Sequence, residues 1–327
     1  MQPTEPPPSA GLDDVVALCT RLGADLRLVQ GAGGNVSLKD AGTMWIKASG
    51  TRLGQAAEQP IFVPMDEAAT RAAVLVTEQL APYVLPEARE SGLRPSIETA
   101  LHVLLPHRVV VHVHGVGTIA AGLTDAVDHA VAQLPAEFHP LVIPYAKPGV
   151  ELARAVLASS PAELDAGEPL VLVLRNHGLV VGAPDCATVE EVLTAVEAAF
   201  RSTGAPDTRL DPTDPCLCPP GTLDELATDV LCAGALTPDS AVFLGPRPFG
   251  RTTEGPGPAD SPHSCFVADD GSVWLRTDLG ADEREVAASL VDVARQVGAA
   301  EVMTLSAAQV DELVNWEAEK WRQQLKR

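Results

Sequence analysis

Apolar runs and amphipathic segments alternate along the first two thirds of the chain. Two runs rich in Val and Leu, at 109–113 and 170–175, have the pattern of strands that are buried on both faces. Residues Leu12–Gly23 instead repeat apolar positions with helical period, and acidic residues near their start favour the helix dipole. The same criteria predict helices at 66–79, 96–105, 149–158 and 188–203, and strands at 36–39 and 44–48. This order favours a mixed α/β domain.

A proline- and glycine-rich stretch at 205–221 interrupts this pattern and has the composition of an extended linker. We therefore predict a flexible tail at 1–10, an α/β domain at 11–204, and a smaller α+β domain at 222–327. In the smaller domain the pattern predicts a strand at Ala241–Leu244 and a hairpin around Asp269-Asp270-Gly271. It also predicts helices at 223–233, 281–297 and 307–325.

Composition and charge limit the classes of function. Hydrophobic residues make up 46% of the 327 residues and aromatic residues only 4%, which suits an α/β core better than a disordered or fibrous chain. A net charge of −21 argues against nucleic acid and against an anionic membrane surface as partners. We find no secretory signal pattern, and the six scattered cysteines form no disulfide framework. We therefore expect reduced thiols and a cytoplasmic location.

Three histidines at the ends of the two apolar runs are the strongest chemical signal. Alternate strand residues share a face, so His112 and His114 are expected to project together, with Val113 pointing into the core. His177 and the carboxylate of Glu98 complete a possible set of three imidazoles and one oxygen ligand. Such a set suits a borderline divalent cation such as Zn²⁺. The sequence therefore predicts a metal site.

Each of these residues also has an ordinary structural interpretation. A single histidine at a strand end is usually a satisfied polar residue, and Glu98 near a helix start is favoured by the helix dipole. His102 lies one helical turn after Glu98, where it is expected to pack nearby rather than bind metal. Cys216-Leu217-Cys218 resembles a short metal or redox motif, but it lies in the linker without partner ligands. We interpret it as structural.

A glycine-rich loop, Gly31-Ala32-Gly33-Gly34-Asn35, precedes the first strand. It lacks the lysine of a P-loop and the strand–loop–helix order of a dinucleotide fingerprint. It is therefore either a tight turn or a nest of backbone amides for an anion, supplemented by Asn35 and by Ser49-Gly50. The helix amides after Pro95, together with Ser96, offer further donors.

Five ordered motifs together resemble one known family. Gly34-Asn35-Val36-Ser37, Ser49-Gly50, Pro95-Ser96-Ile97-Glu98, His112-Val113-His114 and Asn176-His177-Gly178 occur in the order seen in class II aldolase/adducin-type proteins. The resemblance covers residues 12–203. Within the family it looks closest to the aldolase portion of bifunctional rhamnulose-phosphate aldolase/dehydrogenase proteins, without their dehydrogenase half. It implies an aldolase-like three-layer αβα domain with a central, mainly antiparallel sheet.

The resemblance also implies functional residues. It implies Zn²⁺ on His112, His114 and His177, with Glu98 as a displaceable ligand and as the acid/base. It implies an anion, expected to be a sugar phosphate, held by Gly34, Asn35, Ser49, Gly50 and Ser96. Two positions depart from the family pattern, because Ala32 and Ile97 replace hydroxyl residues of the phosphate pocket. Lys47 supplies positive charge there, or it is a solvated strand residue.

The implied reaction is cleavage or formation of a carbon–carbon bond in a ketose through a metal-stabilised enediolate. The acid for the leaving aldehyde is often a tyrosine in such enzymes, and Tyr145 is the better candidate of the two tyrosines. The family further implies a homotetramer. The alternatives are a dehydratase, a decarboxylase, a 4-epimerase or a non-catalytic adducin-like interaction protein, since one fold hosts several activities.

Overall fold

The structure is a computed structural model that describes residues 11–160, 165–201, 210–258, 260–298 and 301–316. Three expectations therefore fall partly or wholly outside the described residues. These are the tail at 1–10, the first part of the linker at 205–209, and the last helix beyond residue 316.

A seven-stranded sheet is the largest feature of the structure. Its strands are β1 (Asn35–Asp40), β2 (Thr43–Lys47), β3 (Phe62–Asp66), β4 (Val109–Val113), β5 (Leu141–Ile143), β6 (Leu170–Leu174) and β7 (Gly178–Ala183). Their order is β3-β2-β1-β4-β7-β6-β5. The pairs β2–β3, β1–β2, β1–β4 and β4–β7 are antiparallel. The histidine-bearing strand β4 is central, which explains its almost unbroken run of valines.

The turn between β1 and β2 shows how local sequence sets the register of the sheet. Ala41 and Gly42 both have positive φ, 47° and 82°, and Asp40 pairs with Thr43. This is the two-residue hairpin geometry that matches the natural twist of paired strands. The strands predicted at 36–39 and 44–48 are confirmed as β1 and β2, and this turn joins them.

The helices are α1 (Leu12–Gly23), α2 (Glu67–Ala73), α3 (Thr99–Leu104), α4 (Val116–Gly122), α5 (Ala126–Val131), α6 (Val150–Ser159), α7 (Cys186–Phe200), α8 (Glu225–Cys232), α9 (Pro238–Leu244), α10 (Ala281–Gln296) and α11 (Ala307–Val314). The predicted first helix is confirmed, while α2 is shorter than predicted. Helix α3 ends as expected before Pro106, because Leu105 is already extended (ψ 137°) and a residue before proline disfavours helical geometry.

The chain divides into two compact units that do not follow one cut along the sequence. The first comprises residues 1–113, 134–173 and 179–196, and the second comprises 114–133, 174–178 and 197–327. The first unit holds the large sheet, apart from Leu174 and Gly178 at strand ends. The predicted domain boundary at 205–221 stays a prediction.

The second unit is built around a four-stranded sheet with the order β8 (Cys216–Cys218), β11 (Val273–Leu275), β10 (Cys265–Ala268) and β9 (Phe249–Thr252). The predicted hairpin around Asp269-Asp270-Gly271 is confirmed as β10–β11, with Gly271 at φ 79°. The apolar core of this unit joins residues of α4, including Val116 and Leu123, to α8 and α10. Residues before the predicted linker therefore belong to this core.

One predicted element of the second unit is wrong. Residues 241–244, predicted as a strand, form the second half of helix α9. Thr237 and Ser240 make a reciprocal capping box, and Pro238 occupies the first helical turn. These are helix-start signals, and they outweigh the short apolar run that suggested a strand.

The fold class is confirmed as mixed α/β with a large, mainly antiparallel sheet and a second, smaller sheet. Within the described ranges, no helix combines the length and apolar character needed to cross a bilayer.

Candidate metal centre and active site

The structure brings together the three histidines that the sequence singled out. His112 is the fourth residue of β4, His114 follows the end of that strand, and His177 directly precedes β7. One ligand nitrogen from each lies within 4.8 Å of the others, and all three side chains are buried. Val113 is fully buried, as the alternation of strand residues predicts. Among the described residues, no other cluster of three or more His, Cys, Asp or Glu side chains meets this criterion.

The tautomer of His112 is set by the neighbouring strand. Its Nδ1 lies 2.9 Å from the carbonyl oxygen of Leu179 in β7. A carbonyl only accepts, so Nδ1 carries the proton and Nε2 keeps its lone pair. A backbone partner of this kind orients metal-binding histidines in proteins. His112 is therefore prepared to bind a cation through Nε2.

A tight turn between β6 and β7 presents His177. Asn176 has a left-handed backbone (φ 57°), and the amide of His177 donates to the carbonyl of Leu174 at 3.1 Å. The Asn176 side-chain amide donates to the carbonyls of Leu236 at 3.0 Å and Met303 at 2.8 Å. Asparagine tolerates this backbone conformation better than most residues, and here its amide also anchors the turn.

Glu98 lies beside His112. It is the residue before α3, it is only 4% exposed, and its Oε2 lies 3.4 Å from Nε2 of His112. The side-chain amide of Asn35 donates to the same oxygen at 2.7 Å. A buried carboxylate requires such partners, because leaving a charge unsolvated is costly. The Glu98 carboxylate next to Nε2 of His112 is thus held in place by Asn35.

A hydrogen-bonded chain fixes Asn35 in turn. Its Oδ1 contacts Nε2 of His102, while Nδ1 of His102 lies 2.8 Å from the hydroxyl of Ser37. Because Oδ1 only accepts, Nε2 of His102 is the donor and Nδ1 accepts from Ser37. His102 thus packs against Asn35 and supports the site indirectly. Neither His102 nor Ser37 was predicted to have a role in the site, although Ser37 belongs to the first of the five motifs.

Burial keeps His102 neutral. It lowers the pKa of His102 from 6.5 to about 3, opposed in part by the charge of Glu98. The pKa of His107, which is also buried, falls to about 4 for the same main reason. Both rings therefore stay neutral at neutral pH, and for His102 this is the state that the chain from Ser37 to Glu98 requires.

These depressed pKa values predict acid lability. In the unfolded chain the histidines protonate near pH 6.5, while in the fold they resist protonation until about pH 4 or 3. The contribution of each neutral ring to the free energy of unfolding is therefore fully present above pH 6.5. Below that pH it falls by on the order of 1 kcal/mol per pH unit for each group. Urea unfolding of metal-free protein at pH 7.5, 6.5 and 5.5 measures this slope.

In His102→Gln, which cannot protonate, the slope should flatten between pH 6.5 and 5.5. His129→Gln, at an exposed position of α5, should keep the wild-type slope. Equal slopes in wild type and His102→Gln would contradict the assignment of His102 as a neutral buried group.

Gly34 is required where the glycine loop enters the sheet. It has φ +63°, and a Cβ there would lie 3.0 Å from the carbonyl oxygen of His112. Its neighbour Asn35 pairs with His112 across β1 and β4. A side chain at Gly34 would therefore strain the turn and press on the strand that carries His112. Its predicted role in binding an anion stays a prediction.

The segments carrying Ser49, Gly50 and Ser96 meet in space. The Ser49 amide donates to the carbonyl of Arg94 at 2.8 Å, and the Ser96 amide donates to the carbonyl of Lys47 at 3.1 Å. Gly50 has φ 80°, a conformation that suits glycine. The hydroxyl of Ser96 accepts from the amide of Glu98 at 3.2 Å. Of these three candidate anion-binding residues, Ser96 is therefore the one in contact with the candidate acid.

Lys47 is not a solvated strand residue. It is 2% exposed, and its ammonium group donates to the carbonyl oxygen of Ala32 at 3.0 Å. A buried lysine needs such acceptors, and this one fastens the glycine loop to β2. The alternative of a solvated face is wrong, while its predicted help in binding an anion stays a prediction.

Tyr145 lies in the loop after β5 and is partly buried. Strand β5 is separated from β4 by β7 and β6 in the sheet order. The role of Tyr145 as the acid for the leaving group stays a prediction.

One carboxylate near the histidines was not predicted. Asp239, the second residue of α9, has Oδ2 3.2 Å from Nδ1 of His114, and both side chains are largely buried. The available signal was the helix-start pattern Thr237-Pro238-Asp239-Ser240, which directly precedes the run predicted as a strand.

The motif Cys216-Leu217-Cys218 has the properties of a structural element rather than of a redox or metal-binding site. Burial raises the pKa of Cys218 to about 12 and also raises the pKa of Cys216. The thiol of Cys216 donates to the carbonyl of Cys218 at 3.1 Å. Such thiols are poor nucleophiles and poor metal ligands, because both roles need the thiolate.

The donor set of the histidine cluster fits a divalent transition metal. Three imidazoles and one carboxylate are the ligands that Zn²⁺ and related borderline cations take in catalytic sites. The proton held on Nδ1 of His112 leaves the other ring nitrogen available.

Comparison with known proteins identifies the family. The model of the Class II Aldolase and Adducin N-terminal domain matches residues 13–203, more than half of the chain. The chain belongs to this family. The resemblance inferred from the five motifs is confirmed at this level, and the histidine group and Glu98 all lie within the part that matches the aldolase/adducin domain.

Individual relatives are distant. The N-terminal class II aldolase domain of a conserved protein from Thermoplasma acidophilum is 26% identical, with 62% of this chain and 100% of that chain covered and a TM-score of 0.46. A sugar-phosphate aldolase from Thermotoga maritima is 16% identical, with 57% and 94% covered and a TM-score of 0.40.

A curated relative is the uncharacterized oxidoreductase YuxG of Bacillus subtilis (strain 168), 26% identical over 187 residues. The match covers 52% of this chain and 26% of YuxG. The chain therefore spans about a quarter of the length of the curated relative it matches.

Proposed function

We propose that this protein is a class II, metal-dependent aldehyde-lyase that cleaves or forms a carbon–carbon bond in a ketose. The observation that carries the proposal is the buried cluster of His112, His114 and His177 with Glu98 beside it. Burying three imidazoles and a carboxylate together is costly without a cation, so their association favours a metal-binding role.

We propose Zn²⁺ as the cation, held by the three histidines, with Glu98 as a ligand that substrate displaces. When bound, the cation supplies Lewis-acid stabilisation of the negative charge that develops on substrate oxygens as the carbon–carbon bond breaks. Its identity is open to direct metal analysis, since other divalent transition metals accept the same ligands.

Glu98 is the proposed acid/base. It moves the proton of the carbon next to the substrate carbonyl, and its position is defined by the amide of Asn35 and the chain to His102. A carboxylate held by one strong hydrogen bond and screened from water is suited to repeated proton transfer. Tyr145 is the proposed acid at the aldehyde oxygen: it gives that oxygen a proton in condensation and takes the hydroxyl proton back as the aldehyde forms in cleavage. We also propose a homotetrameric assembly.

The substrate is proposed to be phosphorylated, although the pocket is altered. The segments that carry Ser49, Gly50 and Ser96 contact each other, and Ser96 contacts the amide of Glu98; in our proposal these three residues supply donors for an anion. Asn35 is engaged with Glu98 and His102, so in our proposal it orients the acid and contributes less to the anion. Ala32 and Ile97 supply no hydroxyl. The pocket therefore offers an anionic group of the substrate fewer side-chain donors.

The decisive assay is retro-aldol cleavage across ketose 1-phosphates, free ketoses and aldonates. We expect release of dihydroxyacetone phosphate from a deoxyhexulose 1-phosphate, dependent on stoichiometric metal. Release of carbon dioxide or water, or epimerisation without cleavage, would assign the same site to a decarboxylase, dehydratase or epimerase. Purified protein without metal or turnover would favour an adducin-like interaction role.

A further inference from the structure

The surroundings of His114 carry an inference that rests on the proposed metal site. His112 has a backbone carbonyl as the partner of its Nδ1. For His114 the group facing Nδ1 is a carboxylate, the Oδ2 of Asp239 at 3.2 Å. The two side chains are 9% and 13% exposed, so they form a largely buried pair. A buried carboxylate of this kind is retained only when it has a specific partner.

We propose that Asp239 is a positioning residue of the metal centre, accepting the Nδ1 proton of His114 and leaving Nε2 to bind the cation. An ionised carboxylate only accepts, so it selects the tautomer in which the proton lies on Nδ1. It also raises the basicity of the other ring nitrogen, as carboxylate–histidine pairs do at metal sites.

Hydrogen bonds hold the backbone around Asp239 in place. It follows Thr237 and Pro238, and the capping box joins the Thr237 side chain to the amide of Ser240 at 3.1 Å and the Ser240 hydroxyl to the amide of Thr237 at 3.0 Å. The backbone just before Thr237 is also held in place, because the carbonyl of Ala235 accepts a hydrogen bond from the amide of Leu305 at 2.9 Å. The carboxylate is thus presented from a defined backbone.

The same segment supports the third histidine. The carbonyl of Leu236 accepts from the side chain of Asn176, the residue before His177. Segment 235–239 therefore contacts both His114 and the turn that carries His177. Since the family model ends at residue 203, these contacts come from a part of the chain outside the aldolase/adducin domain. The C-terminal part is, on this proposal, a component of the metal centre rather than an accessory.

The test measures Zn²⁺ affinity of the full chain by competition with a chelator. In Asp239→Asn, which keeps the shape but removes the charge, the dissociation constant should rise about 10-fold. Asp239→Leu, which removes the acceptor, should raise it towards about 100-fold. Asp282→Asn is the matched control, because Asp282 is likewise the second residue of a helix, α10, and loses the same charge. It should bind Zn²⁺ like the wild type.

Co²⁺ absorption provides a readout that simple loss of packing would not reproduce. In Asp239→Asn the visible bands should keep their intensity at saturation, because the ligands are unchanged and only the affinity falls. A change of intensity typical of a lost ligand would overturn the positioning role and make Asp239 a direct ligand. Urea unfolding of metal-free variants checks that each is folded.

The experiment distinguishes failure of the proposed function from failure of the proposed role of Asp239. If wild-type protein binds no divalent metal, the proposed function itself fails. If wild type binds Zn²⁺ and both Asp239 variants bind it equally well, the metal site stands and the role of Asp239 is refuted.

Discussion

His112→Ala should lose stoichiometric metal and at least about 10³-fold in turnover, since a catalytic cation contributes several kcal/mol to the transition state. The side chain is fully buried and lies between Glu98 and the carbonyl of Leu179. Its removal deletes one of the three proposed nitrogen ligands and the donor to that carbonyl. Metal content after dialysis, together with the rate of ketose cleavage, measures the effect.

Loss of the buried hydrogen bond from His112 to the Leu179 carbonyl should also lower the unfolding free energy by about 1 kcal/mol. Folding is therefore checked by urea unfolding before metal content is compared. His129→Ala, at an exposed position on α5, serves as the control and should keep both metal and turnover. Unchanged metal content in folded His112→Ala would remove the three-histidine site from consideration.

Glu98→Gln should separate chemistry from metal binding. Glutamine preserves the size of the side chain and an oxygen that accepts from Asn35, so the fold should be retained. It cannot transfer a proton, and turnover should fall about 10²–10⁴-fold. The three histidines remain, so metal should stay close to one ion per chain. Steady-state rates and metal analysis on the same preparation test both halves.

The control for Glu98→Gln is Glu67→Gln, at the first residue of α2, where the partly buried carboxylate pairs with Arg71 one helical turn later at 3.1 Å. A helical pair at this spacing contributes about 0.2–0.5 kcal/mol, so this variant should keep the turnover of the wild type. Turnover of Glu98→Gln within about threefold of the wild type would exclude Glu98 as the acid/base. The contrast with His112→Ala is diagnostic, because only that variant should lose the metal.

Strand periodicity allowed much of the site to be predicted. The spacing His112-Val113-His114 fixes both imidazoles on one face of any strand, and Val113 is buried as that geometry requires. Likewise, Pro106 ends α3 and Ala41-Gly42 makes the β1–β2 turn through backbone preferences that act within a few residues. These features follow from the residues themselves and their immediate neighbours, so the sequence is enough to predict them.

Periodicity failed where a local helix-capping signal or a tertiary partner decides the outcome. The apolar residues at 241–244 suggested a strand, but the capping box of Thr237 and Ser240 makes them helical. Lys47 fitted a solvated position equally well, and only the position of the Ala32 carbonyl shows why it is buried. Asn35 was assigned to an anion, whereas its contacts with Glu98 and His102 depend on residues more than 60 positions away.

The sequence by itself determined the fold class, the family and the pairing of His112 and His114 at the end of β4, because strand alternation and ordered motifs are local or nearly local properties. Only the tertiary structure decided which distant groups join that pair. The β4–β7 pairing brings the Leu179 carbonyl to His112, and α9 brings Asp239 to His114. The physical reason is that hydrogen-bond partners across a sheet or between packed elements are set by register and packing, which no spacing along the chain encodes.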